Sequence, residues 1–485
     1  MNLSNHHGRM YAHLAAIALI LVAGPAHAAP DLDILASAGL GDDLGGRPVA
    51  IDLVDDGVVL ASVRGGHGSL VRLDRSGEPS GPARTLTSTV DHLAVDRTSG
   101  DIAVVGPDGL AVFDASFEPL WQRPLTTGAG ERRVAVGERG TIAALAGGTL
   151  HIFAADGTLL GEAEPGDDVT RGLAVLDAAG VVVTTGWSRV SACDRAVDVA
   201  SLTAFAHDGA PRWHAYGETS ALCAGHDDAH TRGIAVARGE DGLVYLLAEV
   251  EGRDDLFRSR PDDPSLEANN VAFDVYTDPE TAHPQQSAYY ARFTPEGRHL
   301  IGQYFLLPAA GSVVRPRAIS ADVHGNVYLA GAASHSLGAA DEVAATEALD
   351  RMAGFYQVVE PDLEARRVWQ LLDADDMRTD ITALAVSGDR VVTLLDATAA
   401  DTQTEGSLPT GPSVLLWPGG FGPVAVEKRP DPETQGTFGY ESGVSGSDPT
   451  CYCDTSPPAP SALLALGVFA LAGLRRPRRA AATQA

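Results

Sequence analysis

The chain has 485 residues, with 53 glycines, 29 prolines and few aromatic residues, a length and composition suited to a large core built from many short strands and turns. Its 35 Lys and Arg against 64 Asp and Glu leave a net charge of −29. That balance argues against sequence-independent nucleic-acid binding, which needs a basic surface to release counterions, and against docking on an anionic membrane face. Lys428 is the only lysine, which excludes Schiff-base and P-loop chemistry and leaves basic function to Arg and His.

Taken in order, the chain begins with a weakly basic segment (His6, His7, Arg9), an apolar run from Leu14 to Ala23, and Ala26-His27-Ala28. This is the pattern of a secretory signal, and residues 1–28 are expected to be removed by cleavage after Ala28. The apolar run is too short to span a bilayer as a stable helix. The mature protein is expected to be exported into a disulfide-permissive compartment.

A hairpin unit then recurs. Its sharpest copy is Arg317-Ala-Ile-Ser-Ala-Asp-Val-His-Gly-Asn-Val-Tyr-Leu-Ala-Gly331, in which Gly325 supplies the φ > 0 of a tight turn. Aligning one small residue per unit gives seven copies. They are Arg47-Pro-Val-Ala-Ile51, Asp91-His-Leu-Ala-Val95, Arg132-Arg-Val-Ala-Val136, Arg171-Gly-Leu-Ala-Val175, Arg232-Gly-Ile-Ala-Val236, Arg317-Ala-Ile-Ser-Ala321 and Thr382-Ala-Leu-Ala-Val386. A second turn follows in most units, for example Asp74-Arg-Ser-Gly77 and Asp114-Ala-Ser-Phe117, so each unit holds four strands. Successive spacings are 44, 41, 39, 61, 85 and 65 residues. The first three match one four-stranded propeller blade, and the others match a blade with insertions. The expected fold is all-β: a seven-bladed β-propeller of four-stranded blades over 29–429, flanked by the signal peptide and a C-terminal anchor helix. The stretch 33–40 would supply the outer strand of the last blade and remove an open edge.

The Ala-Ile-Ser-Ala-Asp-x-x-Gly-Asn-Val-Tyr-Leu-Ala-Gly pattern at 318–331 resembles the repeats of secreted bacterial β-propellers of the SBBP and NHL kind. The resemblance implies the fold and says little of activity, since propellers host many functions.

In a propeller, the loops joining strands one to two and three to four open on one face, and the others open on the opposite face. The long insertions, 188–199, 217–231, 252–287, 334–352 and 398–412, all belong to the second set. Binding residues concentrate in such loops on rigid scaffolds. Cys193 and Cys223 fall in two of these loops of blade four, and a disulfide between them is expected, contributing about 3 kcal/mol in the chain-entropy model.

From 430 to 450 the chain turns Gly-, Ser-, Thr- and acid-rich and reads as a flexible linker. Then follow Cys451-Tyr-Cys453, a Pro-rich spacer, an apolar run over 462–474 and Arg475-Arg-Pro-Arg-Arg479. The order resembles the MYXO-CTERM sorting tail. Over 451–485 it implies membrane association before processing, a sorting protease as partner, processing near Cys451 or Cys453, and display at the cell surface or outer membrane.

Five units carry Arg at one aligned position: Arg47, Arg132, Arg171, Arg232 and Arg317. Placed at the start of the innermost strand, they would ring one channel mouth and could hold carboxylates or sulfates through bidentate hydrogen bonds. The other reading has each Arg pairing with an acidic residue of its own or a neighbouring blade. His226, Asp227 and His230 form the one candidate set for a divalent metal; no other cofactor is implied. Trp121, Trp213 and Trp369 share a fourth-strand position that suits packing between blades. The leading functional reading is a surface-displayed, non-catalytic propeller binding an extracellular ligand or protein, anionic ones included, on its loop-rich face. The alternatives are an exported enzyme using that face (a lyase, glycoside hydrolase or quinone-type dehydrogenase) and a structural envelope protein.

Overall fold

The second strand of each repeat is nearly continuous in apolar residues: Gly57–Arg64, Ile102–Gly106, Ile142–Ala146 and Val327–His335 are buried along most of their length. A strand reads this way when both its faces are covered. Two of the fourth strands, Pro119–Arg123 and Leu159–Ala163, are mostly exposed. Each sheet therefore stands edge-on, with its centre buried between two neighbouring sheets and its last strand outside.

The computed structural model describes residues 36–39 and 47–423, apart from 56, 126–127, 129, 193–194, 218–228, 252–255, 264–265, 272–285, 306–310, 336–347, 373–376 and 400–412. The signal stretch 1–28, the linker 430–450, the tail 451–485 with Cys451 and Cys453, the Cys193–Cys223 pairing, and His226 and Asp227 lie outside the described residues. Among the described residues, no helix is long and apolar enough to cross a membrane.

The strands form seven four-stranded antiparallel sheets. Blades one to six occupy 47–85, 92–123, 133–163, 169–216, 230–305 and 314–372, each a simple meander. Blade seven takes Met377–Ser387, Arg390–Ala399 and Ser413–Pro418 from the end of the ring, and Ala36–Gly39 from its beginning. Ala36 pairs with Leu416 and Gly39 with Ser413, so the expected closing strand lies within 33–40. This is the seven-bladed β-propeller anticipated from the repeats.

Seven apolar clusters, one between each pair of neighbouring blades, make up the core. The cluster that closes the ring joins Ile51, Leu53, Leu60 and Leu73 of blade one to Val392, Leu394, Val414 and Leu416 of blade seven. Trp121 and Trp213 work across blades too. Their indole N–H groups donate to the Ala155 and Pro295 carbonyls of the next blade, each at 2.8 Å. Trp369 of blade six meets Phe305 of blade five with centroids 5.3 Å apart.

The turn glycines take the expected conformation, with φ of 80° at Gly325 and 83° at Gly77. In the same turn of blades two and six the chain places Phe117 and Leu363 at φ of 63° and 62°. Both are buried, and the packing of the side chain outweighs the left-handed backbone that a β-carbon disfavours.

Strands run into the insertions 334–352 and 398–412, where His335 pairs with Ala348 and Met377 with Ala399, and 188–199 departs furthest from its reading as a loop. Residues 188–199 continue the second and third strands of blade four, Val181–Ala192 and Arg195–Ala206, with pairing out to Ala192–Arg195. Val190, Val197 and Val199 give this extension a small apolar cluster of its own with Leu256, enough to carry the ladder beyond the blade.

Candidate ligand-binding face

The innermost strands of all seven blades line a central channel of ≈ 350 Å³. One mouth lies at the starts of these strands, on the side of the large insertions, and the other at their ends. Five of the strands carry a β-bulge, at Val49, Arg171, Ile234, Arg317 and Thr382. Counted from the bulge, Arg171 and Arg317 are equivalent, whereas Arg47 and Arg232 each lie two residues before it. The five aligned arginines thus do not form one ring. Arg171 and Arg317 line the channel and Arg47, Arg132 and Arg232 do not; Arg133, which the alignment passed over, does.

Four of the five arginines bridge to a carboxylate presented by a neighbouring blade. Arg132 meets Asp91 at 2.9 Å, Arg171 meets Glu131 at 3.0 Å, Arg232 meets Asp198 at 2.7 Å and Arg317 meets Asp380 at 2.9 Å. Arg232 also holds Glu249 at 2.7 Å and Glu251 at 2.8 Å within its own blade. Burial acts to lower its pKa, but the hydrogen bonds to Glu251, Asp198 and Glu249 prevail and raise it. Arg47 is exposed and forms no ion pair among the described residues.

At the insertion-side mouth Arg133 and Arg171 share one counter-ion. Glu131 accepts from Arg133 Nη2 at 2.8 Å and lies 3.0 Å from Arg171 Nε. Arg133 Nε also donates to the Arg171 carbonyl at 3.0 Å. The Arg171 guanidinium lies over the half-buried ring of Trp187, 4.6 Å from its centroid, a cation–π contact that fixes its plane. His92 lines the same wall. Burial, and then the charge of Arg133, push its pKa down to about 3, so it is neutral at neutral pH. Nearby in blade four, burial raises the pKa of Asp167 against the Ser201 hydroxyl that donates to it at 2.5 Å.

The opposite mouth is crossed by side chains. Arg97 of blade two reaches Glu240 of blade five at 3.2 Å and Asp52 of blade one at 3.6 Å. Glu240 also accepts from the Gly388 N–H of blade seven at 3.2 Å. Arg238 of blade five meets Glu138 of blade three at 3.3 Å. Glu138 in turn accepts from the Ala178 N–H of blade four at 2.7 Å. These contacts tie six blades together and plug that end of the channel.

His230 lies at the start of blade five, where its Nδ1 accepts from the Asp198 N–H at 3.1 Å. Among the described residues, no group of three His, Cys, Asp or Glu is placed to hold a metal ion.

The fold and its channel define a β-propeller whose two mouths differ. No protein-family model and no curated protein sequence matches the chain. Among solved structures, it is similar to a catalytically inactive virginiamycin B lyase from Staphylococcus aureus crystallised with quinupristin. The TM-score is 0.45 at 10% sequence identity, over 80% of this chain and 99% of that one.

Proposed function

We propose that this chain is an exported, surface-displayed, non-catalytic propeller that binds a ligand or partner through its insertion-side face. The observation that carries the reading is the difference between the two mouths. Every enlarged connection falls at one end of the channel, while ion pairs across the lumen close the other. A rigid ring with one elaborated rim is the usual arrangement of a binding scaffold. Four of the five aligned arginines are held in ion pairs between blades, which favours a binding surface over an acid–base centre. Export and display rest on the signal-like start and the sorting-type tail.

The test is thermal unfolding of the mature protein against a panel of divalent cations, anionic glycans and peptides. It is run beside a variant with 336–347 and 400–412 shortened to tight turns. A rise in melting temperature that the shortened variant loses supports the reading. A rise of equal size in both proteins, or none with any compound, contradicts it.

A further inference from the structure

The channel is charged at its open rim, carries apolar side chains along its walls and is crossed by ion pairs at its far end. Its walls present Val49, Ala135, Leu173, Ala235, Ala318 and Leu384, all partly exposed to the lumen. Its volume of ≈ 350 Å³ lies at the small end of ligand pockets. At the rim, two guanidinium groups, Arg133 and Arg171, share the single carboxylate of Glu131. Arg317 and Asp380 cancel. Arg133 Nη1 and both terminal nitrogens of Arg171 have no acceptor among the described residues. The two guanidinium groups are each about one-third exposed and are held in place, by the Arg171 carbonyl in one case and by Trp187 in the other. They are therefore pre-organised to receive one more carboxylate.

From this geometry we infer that the channel binds a small apolar carboxylate, with its chain in the lumen and its carboxylate on Arg133 and Arg171. The inference rests on the insertion-side binding reading and gives that site a ligand class. Two opposing features select the ligand. A fully polar anion finds apolar walls below the rim, and an uncharged apolar molecule leaves the rim charge unmet. The plug of Arg97, Glu240, Asp52, Glu138 and Arg238 sets the depth that the chain can reach. His92, neutral at neutral pH, adds no charge to the rim.

The test is isothermal titration of the mature full-length protein with butyrate, hexanoate and octanoate, and with 1-octanol as the uncharged control. Affinity is expected to rise about fourfold per added methylene. Octanoate is expected to bind at least tenfold more tightly than 1-octanol. Arg171→Gln is expected to remove that preference for the carboxylate while leaving 1-octanol binding unchanged. The series on the unaltered protein stands alone if the variant does not fold. Equal affinities for butyrate and octanoate, equal affinities for octanoate and 1-octanol, or no octanoate binding at millimolar concentration would each overturn the inference. A glycan or peptide shift lost on loop shortening, together with no octanoate binding, would retain the binding face and reject this ligand class. Octanoate binding with no loop-dependent partner would do the reverse.

Discussion

Replacing Arg232 by alanine removes one cation from among three carboxylates. Asp198 is nearly buried, Glu249 is 14% exposed and Glu251 is 37% exposed, and all three lie within 2.8 Å of the guanidinium. Removing one partner of a buried ion pair costs about 3–5 kcal/mol, because the remaining charge stays desolvated. Arg232 itself is 24% exposed, so solvent screens part of the effect and the expected loss is about 2–3 kcal/mol. The assay is urea unfolding at pH 7, which leaves electrostatics unscreened. Arg232→Lys keeps the charge but not the fork that reaches both blades, and should lie between the two. A loss below about 1 kcal/mol would show that the cluster does not join blades four and five as described.

Other perturbations test other parts of the ring. Leu363→Gly relieves a left-handed backbone worth about 1 kcal/mol but empties a fully buried site, and should destabilise by about 2 kcal/mol net in urea unfolding; a stabilised variant would reverse that ranking. Gly157→Ala puts a methyl group 2.8 Å from Trp121 at a φ of 80°. It should red-shift tryptophan emission as the ring leaves the Ala155 carbonyl, and an unchanged spectrum would contradict the packing. Burial lowers the pKa of His299 to about 4, and burial with the Arg133 charge lowers that of His92 to about 3, both from 6.5. A histidine depressed in the folded state is protonated first in the unfolded chain. The stability it lends is complete above pH 6.5 and declines as pH falls towards 4, by up to about 1.4 kcal/mol per pH unit for each. His299→Gln should flatten this slope, and an unchanged slope would assign it to other groups.

The ring is legible in the sequence because it is written locally. A small residue, a turn glycine and a buried second strand recur in each copy, and the closing strand falls where an unpaired edge would otherwise remain. The side on which the insertions gather was legible for the same reason, since it follows from counting strands. The site was less so. Aligning Ala50 and Ala235 with Ala174 matches letters but not ladders. Bulges at Val49 and Ile234, against Arg171, move two arginines out of the channel. No propensity marks a bulge of that kind, and a slip by an even number of residues preserves the alternation that would reveal it. The plug was invisible because Arg97, Glu138 and Glu240 sit in ordinary-looking turns of blades that meet only after closure. The turns at Phe117 and Leu363 are legible from their place between strands, but not the left-handed backbone there, because side chains stand where other copies have glycine. Arg133 could have been found: it directly follows Arg132, and a doubled arginine at the start of an inner strand puts one on each face.

Hydrogen exchange of the full-length protein with and without octanoate tests the central claim most directly. Slowed exchange is predicted at the starts of the inner strands Arg133–Val136, Val169–Leu176 and Val314–Ala321, on the insertion side. Protection confined to the turns around Arg97, Glu138 and Glu240, at the plugged end, would contradict the assignment of the binding face, and no protection anywhere would contradict carboxylate binding in the channel.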